Sequence, residues 1–131
     1  LLCKYVLPTM FTQKRSGSIF CVTSGAALGY REGRVGYSMS KAALDRAYTS
    51  LAEEVRGHDI AVNVLSPGRV DTWMNRNGDW PDTGHIPMVQ PDEIAASAVW
   101  LAGVKASEFT GHRVERADFG VSWGPGGSTT R

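Results

Sequence analysis

The sequence predicts an α/β fold, a parallel sheet of three strands with about three helices. Two apolar runs, Ser18–Thr23 and Ile60–Leu65, have the length of buried strands, and a long segment with helical periodicity lies between them. Strand, helix and strand in that order form a βαβ unit, whose strands run parallel. A third strand is expected at about His112–Ala117, after a further helix.

Taken in order, Leu1 to Phe11 carries Leu2, Tyr5, Val6 and Met10 at near-helical spacing and reads as the tail of a longer helix. Gln13 to Gly17 is polar and ends in glycine, a turn into the first strand. The loop from Ser24 to Gly36 holds Gly25, Gly29, Gly33 and Gly36. A phosphate cradle needs a helix starting directly behind such glycines, and none is expected here. The long helix should run from about Gly36 to Arg56, with Leu44, Ala47, Tyr48, Leu51, Ala52 and Val55 as its apolar stripe. Gly57 is the expected C-cap, and Asp45, Arg46, Ser50, Glu53 and Glu54 form the opposite, solvated or subunit-facing side.

After the second strand, Ser66 to Gln90 is a long segment with several prolines and glycines, interrupted by Trp73, Met74 and Trp80. Loops of that length inside compact domains are usually functional or disordered, and the tryptophans argue against disorder. Asp92 is expected to cap a helix from Glu93 to about Gly103, buried through Ile94, Ala98, Leu101 and Ala102. Residues 121–131 read as a flexible, glycine-rich tail. Its spacing Gly120-x-x-x-Gly124-x-Gly126 imitates a dinucleotide fingerprint, but Pro125 interrupts it and no helix follows to face a pyrophosphate.

Composition excludes several classes of function. With 131 residues, 42% hydrophobic and 21% charged, the chain suits one globular domain. A net charge of +1 with scattered basic residues gives no electrostatic case for nucleic acid or a membrane surface. No apolar run has the length of a membrane span. Cys3 and Cys21 lack metal-ligand or redox spacing, so no metal is expected and a reducing, cytoplasmic setting fits.

The chemistry points to Tyr37-Ser38-Met39-Ser40-Lys41. On a helix, residues i and i+4 share a face, so the Tyr37 phenol and Lys41 ammonium point the same way. A tyrosine hydroxyl titrates near pH ~10 in water, and a neighbouring positive charge favours the phenolate, which suits acid–base work. Ser24 leaves the first strand at its carboxyl end, where open parallel sheets gather their chemistry, and the Pro67-Gly68 turn leaves the second strand at the same edge.

Thr23-Ser24-Gly25 behind a strand, Tyr37-x-x-x-Lys41, and Asn63-Val64-Leu65-Ser66-Pro67-Gly68-Arg69-Val70-Asp71-Thr72 together resemble the short-chain dehydrogenase/reductases in order and spacing. Gln90-Pro91-Asp92-Glu93-Ile94 through Trp100-Leu101-Ala102, then Phe109-Thr110-Gly111-His112, is similar to that family's closing helix and last strand. The resemblance covers residues 1 to about 120 and implies the C-terminal catalytic half of a Rossmann-like, doubly wound parallel sheet. It implies hydride transfer between NAD or NADP and a carbonyl or alcohol substrate. Tyr37 would be the general acid/base, Ser24 would hydrogen-bond the substrate oxygen, and Lys41 would assist the phenol and hold the nicotinamide ribose. Pro67, Gly68, Val70 and Thr72 would line the rest of the nicotinamide site, with Val70 near the carboxamide and the Ser66–Gln90 segment acting as a lid over the substrate. The family's N-terminal glycine turn, the first four strands and the asparagine that completes its catalytic set have no counterpart here, so the missing N-terminal half is an expected partner. In this family the helices matching residues 1–11 and 36–56 commonly form a homo-oligomer interface. A second, non-catalytic reading follows, in which the chain is a truncated association module.

Overall fold

The structure is a computed structural model, and it describes residues 2–13, 15–30, 32–78 and 87–128. Leu1 and Trp80, named above, lie outside the described residues, as do residues 129–131 of the stretch read as a tail. Helix α1 (Leu2–Thr12) leads into strand β1 (Gly17–Val22), helix α2 (Val35–Val55) and strand β2 (Ile60–Ser66). A short helix α3 (Trp73–Asn77), helix α4 (Asp92–Gly103) and strand β3 (Arg113–Glu115) follow. The strands form one parallel sheet in the order β1-β2-β3. Gly17 pairs with Ile60 and Val22 with Leu65, while Val64 pairs with Arg113 and Ser66 with Glu115.

Every residue of β2 is buried, because the strand is covered on both faces. Alternate side chains feed two cores. Ile60 and Val62 meet Ala52 and Val55 of α2, with Leu7 and Met10 of α1 packed against them. Ala61 and Leu65 meet Leu101, Val104, Phe109, Val114 and Trp123 on the other side. The architecture is three layers, with α1 and α2 on one face and α4 on the other. Among the described residues no helix is long and apolar enough to cross a membrane.

Several expectations are corrected in detail. Helix α2 ends in a tight 3-10 turn over Arg56–His58, and Asp59 takes the left-handed conformation at φ 54° that was expected of Gly57. Aspartate tolerates that region because its short polar side chain bonds locally. The inward stripe of α2 is also rotated: Ala47 is exposed, whereas Asp45 is drawn inward by a partner on β3. Asp92 is the first residue of α4 with Pro91 at the cap position, and the carboxylate of Glu93 accepts the Gln90 N–H at 2.7 Å. Ser97 is buried on α4 and Ala102 is exposed. Ser97 meets its polar need within its own helix by donating to the Ile94 carbonyl at 2.7 Å.

The Ser66–Gln90 segment includes structure of its own. Thr72 caps α3 by accepting the Asn75 N–H, and Val70 pairs with Val89 in a parallel bridge. Residues 119–127, which overlap the stretch read as a tail, form hydrogen-bonded turns that bury Trp123, whose indole N–H donates to the Glu115 carbonyl at 2.8 Å. Gly124 sits at φ 83° against the Phe119 ring, where a Cβ would come within 2.4 Å of the ring, so only glycine fits that turn.

Candidate functional site at the carboxyl edge of the sheet

Strands β1 and β2 end together, so Ser24 and the Pro67-Gly68 turn emerge at the same edge of the sheet. Ser24 has extended backbone, and its hydroxyl oxygen accepts the Ala26 N–H at 3.2 Å, capping a 3-10 turn over Gly25–Ala27. This cap uses an acceptor lone pair and not the hydroxyl proton, which is the part a substrate oxygen needs.

Helix α2 begins at Val35, so Tyr37 lies in its first turn and Lys41 one turn later. The Lys41 ammonium lies 5.7 Å from the centre of the Tyr37 ring and donates to the Val22 carbonyl at 3.1 Å. The two side chains share a face, as their spacing predicts, and the ammonium is fixed to the last residue of β1. Thr23, buried beside them, donates its hydroxyl to the Lys41 carbonyl at 3.5 Å, which joins the strand end to the helix backbone.

Two neighbouring groups do not compete for acid–base work. A hydrogen bond with the Cys3 thiol, followed by burial, pushes the Tyr48 phenol up to about 12, so it keeps its proton near neutrality. Burial first, then the Asp45 charge, pushes the Cys21 thiol up to about 12, and it behaves as a small core residue.

At the end of β2, Gly68 adopts φ 81°, a conformation that glycine reaches without strain. Val70 is buried, and its carbonyl accepts from the Asn75 amide at 2.7 Å. The chain around it is tied to the far end of the loop: the Asp71 N–H donates to the Val89 carbonyl at 2.8 Å and the Val89 N–H to the Arg69 carbonyl at 2.9 Å. The Asp71 carboxylate takes hydrogen bonds from the Arg76 guanidinium and, at 3.2 Å, from the Gln90 amide. Both hold it below the usual carboxylate range, Arg76 more strongly.

The family model described as enoyl-(acyl carrier protein) reductase matches residues 1–122. A 3-oxoacyl-(acyl-carrier-protein) reductase from Buchnera aphidicola is 37% identical over 118 residues, a match covering 85% of this chain and 48% of that protein. The chain belongs to the short-chain dehydrogenase/reductase family. It spans about half the length of the curated relatives it matches. Among solved structures, a 3-oxoacyl-(acyl-carrier protein) reductase from Brucella melitensis with bound NAD superposes with a TM-score of 0.72 at 29% identity, covering 87% of this chain and 44% of that one. An acetoin dehydrogenase from Enterobacter cloacae gives 0.72 at 30% identity, over 87% of this chain and 47% of that one. These matches carry the Rossmann-like assignment for the sheet and helices described above.

One residue of this region escaped the sequence reading. Arg113, at the start of β3, reaches across the edge to α2 and to the chain after β1. Its Nε donates to Asp45 Oδ2 at 2.7 Å, one terminal nitrogen to Glu115 Oε1 at 2.5 Å, and the other to the Ser24 carbonyl at 3.2 Å. An arginine among alternating residues of a short strand carries no local signal, and only the parallel register sets it opposite Val64. Beside backbone bonds between the two segments, that register is held by the buried Asn63, which donates to the Phe109 carbonyl and accepts the His112 N–H, each at 3.1 Å.

Proposed function

We propose that the protein carrying this chain transfers hydride between NAD(P)(H) and a carbonyl or alcohol substrate, with Tyr37 as general acid/base, Ser24 as the hydrogen-bond donor to the substrate oxygen, and Lys41 as their electrostatic partner. The observation that supports it most is the Lys41 ammonium, held beside the Tyr37 ring and bonded to the end of the strand that leads into Ser24. Three groups of the right chemistry thus flank one sheet edge.

The donor set at this edge fits the nicotinamide half of such a cofactor. Lys41 would hold the ribose hydroxyls with Tyr37 beside it, and Pro67, Gly68, Val70 and Thr72 would line the carboxamide side. Thr72 caps α3 with an acceptor lone pair, so its hydroxyl proton is the part directed to that task. When bound, the cofactor supplies or accepts the hydride. In the reductive direction Tyr37 donates a proton to the carbonyl oxygen as it becomes an alkoxide, and in the oxidative direction it removes that proton. Ser24 fixes the oxygen at the distance this transfer requires. The relatives named 3-oxoacyl-(acyl-carrier-protein) reductase make a 3-oxoacyl thioester the substrate class to try first.

Two further properties of the whole protein are proposed. It works in the cytoplasm, consistent with the free Cys3 and Cys21 and their lack of metal-ligand or redox spacing. It also associates with copies of itself through α1 and α2, which leave Leu2, Tyr5, Val35 and Met39 between 67% and 79% exposed.

The test is NADH and NADPH oxidation by the full-length protein in the presence of acetoacetyl-coenzyme A and, separately, acetoin. Carbonyl-dependent oxidation with either cofactor is expected, with Lys41→Met losing both turnover and cofactor affinity. Intact turnover in Lys41→Met would contradict the assignment.

A further inference from the structure

Helix α2 carries Tyr37, Lys41 and Asp45 at successive turns of one face, and the proposed chemistry uses only the first two. Asp45 is nonetheless drawn inward, with its side chain 13% exposed, and its Oδ1 has no hydrogen-bond partner among the described residues. Its other oxygen is bound by Arg113, whose side chain is 16% exposed. The same guanidinium holds the Ser24 carbonyl and the Glu115 carboxylate. We infer that Arg113 is the positioning residue of the candidate site, because one rigid fork ties the Ser24 backbone to the helix that presents Tyr37 and Lys41. This rests on the function proposed above.

The chemistry of arginine supports the role. Its planar guanidinium presents donors at fixed angles, so three acceptors from three segments of chain are locked to one another. Burial works against the positive charge, and the hydrogen bonds to Glu115 and Asp45 more than offset it, leaving the guanidinium above its ordinary value. Ser24 has its hydroxyl oxygen on the Ala26 N–H and its carbonyl on Arg113, which fixes the residue from both ends. Fold stability alone does not call for such an arrangement, since apolar replacements of buried ion pairs are often neutral or stabilising. Catalysis does, because a misplacement of ~1 Å costs about a hundredfold in rate.

The experiment is a double-mutant cycle on turnover in the full-length protein, with acetoacetyl-coenzyme A and NADPH or NADH as probes. Ser24→Ala and Arg113→Met are made singly and together, with thermal melts of each. Each single variant is expected to lower kcat by about a hundredfold or more with little change in cofactor KM. In the Arg113→Met background, Ser24→Ala should then cost only about threefold further, because a displaced serine has little left to lose. Arg113→Lys should recover only part of the loss, since an ammonium cannot reproduce the fork. If Arg113→Met does not melt cooperatively, Asp45→Asn replaces it in the cycle, and the same non-additivity is expected. A full Ser24→Ala penalty in either background would reduce Arg113 to a stabilising residue and overturn the inference. Unchanged turnover in Ser24→Ala and in Tyr37→Phe alone would instead overturn the proposed site, and the inference with it.

Discussion

The end of β1 and the end of β2 contribute to the same candidate site, yet they are held in different ways. At the first, the ties are long in sequence: Arg113 reaches Asp45 across 68 residues and Ser24 across 89. At the second they are short, with Asn75 bonding the Val70 carbonyl 5 residues away and Gln90 meeting Asp71 at a separation of 19. The Asp45–Arg113 pair is mostly shielded from water, whereas Arg76 is 58% exposed on its side chain. Shielded pairs with several hydrogen bonds resist breaking, and exposed ones contribute little. By these ties the groups assigned to proton transfer sit on the more rigid corner. The backbone assigned to the nicotinamide sits on one that can adjust.

Breaking the rigid corner should have the larger consequence. Asp45→Ala leaves the Arg113 charge without one of its two carboxylates and is expected to destabilise the fold by about 3 kcal/mol, read as a lowered denaturation midpoint at unchanged slope. No change in the midpoint would mean that the first corner is no more firmly held than the second.

Loosening the adjustable corner should act more on cofactor use than on global stability. Asp71→Asn is expected to raise the cofactor KM several-fold with kcat nearly unchanged. Its pH dependence follows from the Asp71 carboxylate, held below the usual range by Arg76 and Gln90. A carboxylate depressed in the folded state contributes fully above its ordinary pKa, and that contribution is lost as pH falls through the depressed value. Cofactor KM should therefore rise on acidification in the wild-type protein and stay flat in Asp71→Asn. A parallel rise in both would remove Asp71 from the explanation. Thr72→Ala, which removes only the cap of the five-residue α3, should have a smaller effect still. Faster amide exchange in the free protein over residues 73–77, suppressed by cofactor, is its expected signature. Equal exchange with and without cofactor would argue for a corner as rigid as the first.

How much of this was legible in the sequence follows the same division. The placement of Ser24, Tyr37 and Lys41 at one edge could be read because a strand end and an i, i+4 spacing are local signals, and the βαβ order brings them together. The two-sided burial of β2 was likewise visible in its apolar run, which only Asn63 interrupts. Asp45 was assigned to the outer face because a charged residue on an amphipathic helix ordinarily faces water. Its partner lies on another strand, beyond the reach of any periodicity. Asp59 in place of Gly57, and Pro91 in place of Asp92, reflect how loosely local propensity fixes the last residue of a helix. Trp123 escaped because glycine-rich composition suggested a mobile stretch. The turns those glycines allow are what carry the indole back onto the core.

Tyr37 is proposed as the group that moves the proton, and a single substitution isolates that role. Tyr37→Phe keeps the ring beside Lys41 and removes only the hydroxyl. Turnover of a 3-oxoacyl thioester and the dissociation constant for NADH or NADPH should be measured together on the full-length protein. The expected result is a loss of about 10²–10⁴ in kcat, with cofactor affinity within about threefold of wild type. Turnover retained in Tyr37→Phe would rule Tyr37 out as the acid/base.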